Sequence, residues 1–173
     1  SDLFANLVTL AIEEKVAFVL LAGDLYDSDW PDFSTAIFVS RQLGELNRAG
    51  IPVFAVLGNH DAQSPLTSAL EKPRNLTLFP AQAAATAVLS DLGVAIHGQS
   101  FPQLKVVDNL AIRYPAARQG MFNIGLLHTS LDGRVGHDSY APCRLDDLRA
   151  RNYQYWALGH VHAHETEIGR AHV

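Results

Sequence analysis

Four short apolar runs, each broken off at glycine or histidine, constrain the fold of this chain more than any other feature. They are VAFVLLAG (16–23), PVFAVLG (52–58), FNIGLLH (122–128) and YQYWALG (153–159). Each is shorter than a typical buried helix, and the first is a continuous apolar run, the pattern of a strand covered on both faces in a helix-flanked sheet. The first two follow segments of helical periodicity. From Asp2 to Lys15 the apolar residues Leu3, Phe4, Leu7, Val8, Leu10 and Ala11 recur at helical spacing, and Thr35 to Ala49 is again amphipathic, with Gly50 at the position of a helix stop. Helix, strand, helix, strand with short joints predicts an α/β sheet of crossover units. Further on, NLTLF, TAVLS and GVAIHG read as shorter strands with little helix between them, a second sheet or an antiparallel edge, and LDDLRAR reads as a helix. The chain shows no repeat and no interdomain linker, and 173 residues with 48% hydrophobic content suffice for one core-bearing domain.

Every run gives way to polar residues of one chemical kind. Asp24 comes after the first, Asn59 and His60 after the second, His128 ends the third, and His160 and His162 come after the fourth. Ligands of an α/β sheet collect beyond the carboxyl ends of its strands, so four such coincidences make a constellation where one would be a turn. Carboxylate and amide oxygens with imidazole nitrogens suit Mn, Fe, Zn and similar divalent ions, and no thiolate is offered. Asp24, with two oxygens, is able to bridge two ions. The net charge of −5 argues against a broadly basic nucleic-acid-binding surface. A DNA contact would rest on a local patch drawn from Arg113, Arg118, Arg134, Arg144, Arg149 and Arg151, which otherwise read as solvated charges. The single cysteine, Cys143, excludes an intramolecular disulfide, reads as a small buried residue and points to a reducing, cytoplasmic setting. No apolar run reaches bilayer length, and no leader pattern opens the chain.

The strings GDLYD, GNHD, the histidine of GLLH, and GHVH, in this order, resemble the motif series of the calcineurin-like metallophosphoesterases. The flanking text FVLLAGDLYD, GIPVFAVLGNHD, NIGLLHTSLDG and YAPCRLDDLRARNYQYWALGHVHAHE is similar to that of bacterial SbcD-type and YhaO-like DNA repair exonucleases over nearly the whole chain. The resemblance implies an α/β fold in which a two-sheet sandwich lies between helices, four layers in α-β-β-α order. It implies a dinuclear centre: Asp24 bridges both ions, Asn59, His128 and His160 complete one site, and His162 ligates the other. His60 is similar to the family's catalytic histidine, which touches the scissile phosphate or its leaving oxygen, and Asp27 to the acid that orients it. The implied mechanism is in-line attack on phosphorus by a metal-bound hydroxide, with the ions spreading the developing charge. Mn2+ is the ion the resemblance favours, with Fe, Zn or Mg as alternatives. DNA, a coiled-coil ATPase subunit and a second copy of the chain are the partners it implies, with no membrane.

Two departures qualify the match. No Asp-x-His motif precedes the first helix, and TEIGRAHV does not continue into the family's later strands and capping region. The chain is therefore expected to be one catalytic domain, residues 1–173, truncated at both ends, binding one ion or none and weakly active or inactive. Each candidate also has an ordinary reading: Asp24 as a turn or cap, Asp27 as one of several acids in a solvated turn, GNHD as a polar turn, His128 as a buried histidine bonded to backbone. His160 and His162 alternate, so an extended backbone would point both one way. His97, His137, His164 and His172 match no ligand position and are expected to be surface or hydrogen-bonded. The aromatics of NYQYWAL read as core rather than as base-stacking platforms. Three functions compete: a DNA exonuclease or endonuclease of double-strand-break repair, a phosphoesterase for a small phosphodiester or phosphoprotein, which the acidic charge favours, and a metal-depleted non-catalytic scaffold.

Overall fold

A computed structural model of the chain describes residues 2–23, 33–57, 73–100, 109–129, 143–159, 166–167 and 171–172. Helix α1 (Asp2–Glu13) leads to strand β1 (Val19–Ala22), and α2 (Phe33–Arg48) leads to β2 (Val53–Val56). Both helices end in the same way. Beyond α1, the Lys15 N–H donates to Ile12 O and the Val16 N–H to Ala11 O; beyond α2, Gly50 N–H donates to Asn47 O and Ile51 N–H to Leu46 O. This paired closure satisfies carbonyls of the last turn and tucks the next apolar residue, Val16 or Ile51, into the adjoining core. Gly50 stops α2 where the sequence places it. The α1 closure turns on Lys15, at φ 51°, so the first residues of VAFVLLA serve the helix exit and β1 begins only at Val19.

The strands form two sheets. β1, β2 and β3 (Leu76–Leu78) run parallel in that order. β4 (Ala85–Leu89), β5 (Val94–Gly98), β6 (Phe122–His128), β7 (Tyr155–Gly159), β8 (Thr166–Glu167) and β9 (Ala171–His172) form the second sheet, in the order β4-β5-β6-β7-β9-β8. Helix α3 (Leu145–Ala150) lies between β6 and β7, which are parallel. TAVLS and GVAIHG make the antiparallel edge of the second sheet, whereas NLTLF joins the first sheet beside β2. TEIGRAHV, which the sequence left without a place, contributes β8 and β9, with β9 added parallel to β7. β2 is buried at every position, as a continuous apolar run predicts, while β1, which among the described strands pairs with β2 alone, is half-buried.

Side-chain parity sorts the core into layers. Phe18, Leu20, Ala22, Phe54 and Val56 of the first sheet face Ile96, Ile124, Leu126 and Ala157 of the second. The alternate residues Val19, Leu21 and Val53 point outward under α1 and α2. On the far side Leu127, Trp156 and Leu158 pack against Leu148 of α3, Tyr114 and Tyr153. The order is therefore α-β-β-α, the architecture the resemblance implies, and the aromatics of NYQYWAL are core. Helix α1 carries a wider apolar arc than its contact uses. Phe4, Val8, Ala11 and Ile12 pack on the sheet, while Leu3, Leu7 and Leu10, counted with them by spacing, are 79%, 46% and 52% exposed. No described helix is long and apolar enough to cross a membrane.

Candidate functional site

Three inward-facing positions meet where β1, β6 and β7 end. β6 and β7 pair His128 directly with Gly159. His128 has the parity of Ile124 and Leu126, so its ring points between the sheets, and it is fully buried. Its Nδ1 lies 2.9 Å from the carbonyl oxygen of Ala22, the last residue of β1 in the opposite sheet. A carbonyl only accepts, so Nδ1 carries a proton, which in the neutral form of the ring leaves the lone pair on Nε2. Gly159 presses on the same carbonyl: a Cβ there would lie 1.8 Å from Ala22 O and 3.0 Å from His128 Nδ1. Glycine is what allows the two sheets to approach at this end.

A second tie crosses the sandwich nearby. Ser100, just past β5 and 2% exposed, accepts a hydrogen bond from the Leu57 N–H at 2.9 Å and donates one to Phe79 O at 2.6 Å. Its own N–H donates to Pro80 O at 3.0 Å. The carboxyl ends of β1, β2 and β3 are thus laced to those of β5, β6 and β7. From these ends β1 runs into Gly23 and Asp24, β2 into Gly58, Asn59 and His60, and β7 into His160.

His97 is buried on the other face of the second sheet and is hydrogen-bonded rather than exposed. Its Nδ1 lies 2.7 Å from Thr86 Oγ1 and its Nε2 2.9 Å from Asn123 Oδ1. The Asn123 amide is oriented by donation from Nδ2 to the carbonyls of Arg118 and Met121, so Oδ1 accepts, Nε2 carries the proton and Nδ1 receives the Thr86 hydroxyl. The ring stacks on Tyr153 at 4.5 Å, and Tyr153 on Trp156 at 4.9 Å. Burial lowers its pKa from the ordinary 6.5; the Asn123 hydrogen bond works against this and the Arg118 charge with it. Both ring nitrogens are engaged in holding β4, β5 and β6 together, a structural task.

Of the residues singled out from sequence, His128 is described. Asp24, Asp27, Asn59, His60, His160 and His162 lie outside the described residues, as do Arg134, His137 and His164. Among the described residues no three His, Cys, Asp or Glu side chains gather as a metal-holding group. His128 itself fits a divalent ion. A ligating histidine commonly gives its other ring N–H to a carbonyl or carboxylate, which fixes the tautomer and aims the ligating nitrogen. The same hydrogen bond would serve a purely structural histidine; its position among converging strand ends is the added information. Cys143 is buried, with the Thr129 hydroxyl 3.4 Å from its sulfur. Arg113, Arg118, Arg144 and Arg149 are exposed, and Arg151 donates to Tyr114 O at 2.9 Å. Ser100 escaped the sequence reading because its partners lie 43 and 21 residues away, at no periodic spacing.

Two sheets packed between helices, with strand ends from both converging on a buried histidine, make a four-layer α-β-β-α sandwich. Residues 1–164 match the calcineurin-like phosphoesterase family, and the chain belongs to it. Among individual relatives, it is 34% identical over 160 residues to the uncharacterized metallophosphoesterase YhaO of Bacillus subtilis, a match covering 91% of this chain and 39% of that protein. The DNA double-strand break repair protein Mre11 of Sulfurisphaera tokodaii is 26% identical over 167 residues, covering 93% and 42%. Mre11 of Methanopyrus kandleri is 26% identical over 184 residues, covering 96% and 40%. The chain spans about two fifths of the length of these relatives. Solved structures share the fold at 12% identity. One crystal structure superposes with a TM-score of 0.60 over 99% of this chain and 84% of the other. The TT1561 protein of Thermus thermophilus gives 0.54 over 98% and 81%.

Proposed function

We propose that these 173 residues form the catalytic domain of a metal-dependent phosphodiesterase that cleaves DNA during double-strand-break processing in the cytoplasm. The observation that carries this reading is the buried His128, its Nδ1 held by the Ala22 carbonyl beside Gly159, where strands of both sheets end. In this reading Asp24, shared between two ions, would hold them together with Asn59, His128 and His160 for one and His162 for the other. Divalent ions, Mn2+ foremost, would polarise the phosphoryl oxygens and make a nucleophile available near neutral pH. The chain's own part is placement. The Ala22 carbonyl fixes the tautomer that puts the His128 lone pair on Nε2, and Gly159, packed against β1, is the residue from which the chain continues to His160 and His162. His60 contacts the scissile phosphate or its leaving oxygen, and Asp27 orients it. Relatives named as DNA double-strand break repair proteins support DNA as substrate, with a coiled-coil ATPase subunit and a second copy of the chain as proposed partners. The net charge of −5 favours a second reading, a small phosphodiester substrate.

The test uses the protein as its gene encodes it, with end-labelled duplex DNA and bis(p-nitrophenyl) phosphate in Mn2+. Cleavage of both substrates is expected, abolished by a chelator and reduced at least about 100-fold in His128→Ala. Cleavage of the small diester alone would select the second reading. No metal-dependent cleavage of either would refute both.

A further inference from the structure

We propose that Ser100 is a positioning residue for the chain that leaves β2 toward Asn59 and His60; this rests on the function proposed above. The parallel ladder of the first sheet stops at the end of β2. Val56 is its last residue paired with β1, and on the other side Ala55 is the last paired with β3. The Leu57 N–H is the first donor past the β1 ladder, and the partner it finds belongs to the other sheet, the Ser100 hydroxyl at 2.9 Å. That hydroxyl has one proton to give, and Phe79 O takes it at 2.6 Å. The Phe79 N–H in turn donates to Ala55 O at 3.0 Å, one residue before the end of β2. With both its donor and acceptor roles committed, the hydroxyl has one orientation and holds Leu57 to one position.

Ser100 is held as firmly as it holds. Its N–H donates to Pro80 O at 3.0 Å, and it is 2% exposed. Two residues before it, Gly98 lies so close to Phe79 that a Cβ would meet the ring at 2.6 Å, so β5 and the exit of β3 are in contact at this rim. Leu57 precedes Gly58, Asn59 and His60 directly. Fixing the backbone at 57 fixes the point from which the chain sets out toward the amide and imidazole that the proposed function uses. Displacement of reacting groups by about 1 Å costs on the order of 100-fold in rate.

The experiment compares Ser100→Ala and Ser100→Thr with wild type in the full-length protein. Two readouts are used: amide hydrogen exchange of the peptide covering 57–61, and Mn2+-dependent hydrolysis of bis(p-nitrophenyl) phosphate. In Ser100→Ala, exchange in 57–61 should rise about tenfold while the β6 peptide 122–128 stays unchanged. The fall in turnover should be about 10- to 100-fold and lie in kcat rather than KM. Ser100→Thr, which keeps the hydroxyl, should recover both. The proposal is overturned if exchange at 57–61 in Ser100→Ala matches wild type, or if it rises equally in 122–128. It is also overturned if exchange rises at 57–61 while kcat is unaltered in an active enzyme. If wild type hydrolyses no phosphodiester with Mn2+, the proposed function fails. The catalytic part of the Ser100 proposal fails with it, and the anchoring of Leu57 is then judged on exchange alone, with recovery by Ser100→Thr supporting it and no recovery overturning it.

Discussion

Replacing Gly159 by alanine tests the claim that the sheets are in contact at their carboxyl ends. The added Cβ would lie 1.8 Å from the Ala22 carbonyl oxygen, against 3.4 Å for an ordinary contact, so that atom must retreat by roughly 1.6 Å. The obstacle is backbone, not the end of a flexible side chain, and His128 Nδ1 at 3.0 Å blocks relaxation the other way. If β1 yields, Ala22 O moves away from the His128 N–H it now accepts at 2.9 Å. Overpacking of this kind costs about 1–3 kcal/mol, and the lost hydrogen bond about 1 kcal/mol more. A total near 3 kcal/mol in a domain of this size lowers Tm by roughly 6–12 °C. Thermal unfolding followed by circular dichroism measures this directly. A Gly159→Ala protein melting within about 1 °C of wild type would refute the close approach of β1 and β7.

Other substitutions probe independent parts of the fold. Gly44→Ala, in the interior of α2, should stabilise by about 0.5–1 kcal/mol, since among the described residues the added Cβ meets nothing nearer than Arg48 Nη1 at 3.7 Å; a lower Tm would contradict it. Tyr114→Phe removes an oxygen that accepts from Gln99 N–H at 2.9 Å and donates to Leu126 O at 2.7 Å, leaving two buried groups unpaired. The urea midpoint should fall by the equivalent of about 2–3 kcal/mol at unchanged m. His97 gives stability a pH dependence. Its folded pKa lies below 6.5, so its full contribution is present above pH 6.5. As pH falls from there toward the folded value, the unfolded chain binds a proton that the folded chain refuses, and stability drops by up to about 1.4 kcal/mol per pH unit. Urea unfolding at about pH 7.5 and about pH 5.5 should show a smaller pH effect in His97→Gln than in wild type; equal effects would remove His97 as the cause.

What the sequence determined by itself is local or periodic. Apolar runs announced β1, β2, β6 and β7, and Gly50 announced the end of α2, because strand and helix periods are written in neighbouring residues. His128, named from its place after an apolar strand, is buried between the sheets. What only the tertiary structure decided is which strands are neighbours and what touches across the sandwich. NLTLF looked like TAVLS in sequence, yet one extends the parallel sheet and the other the antiparallel edge. Leu3, Leu7 and Leu10 looked like Val8 and Ala11, yet the latter are buried in the core under the sheet and the former are exposed. Ser100 and the Ala22 carbonyl carry no signal in their surroundings. Their roles arise from hydrogen bonds to residues 43 and 106 positions away, and such contacts exist only once packing has chosen the register of two sheets.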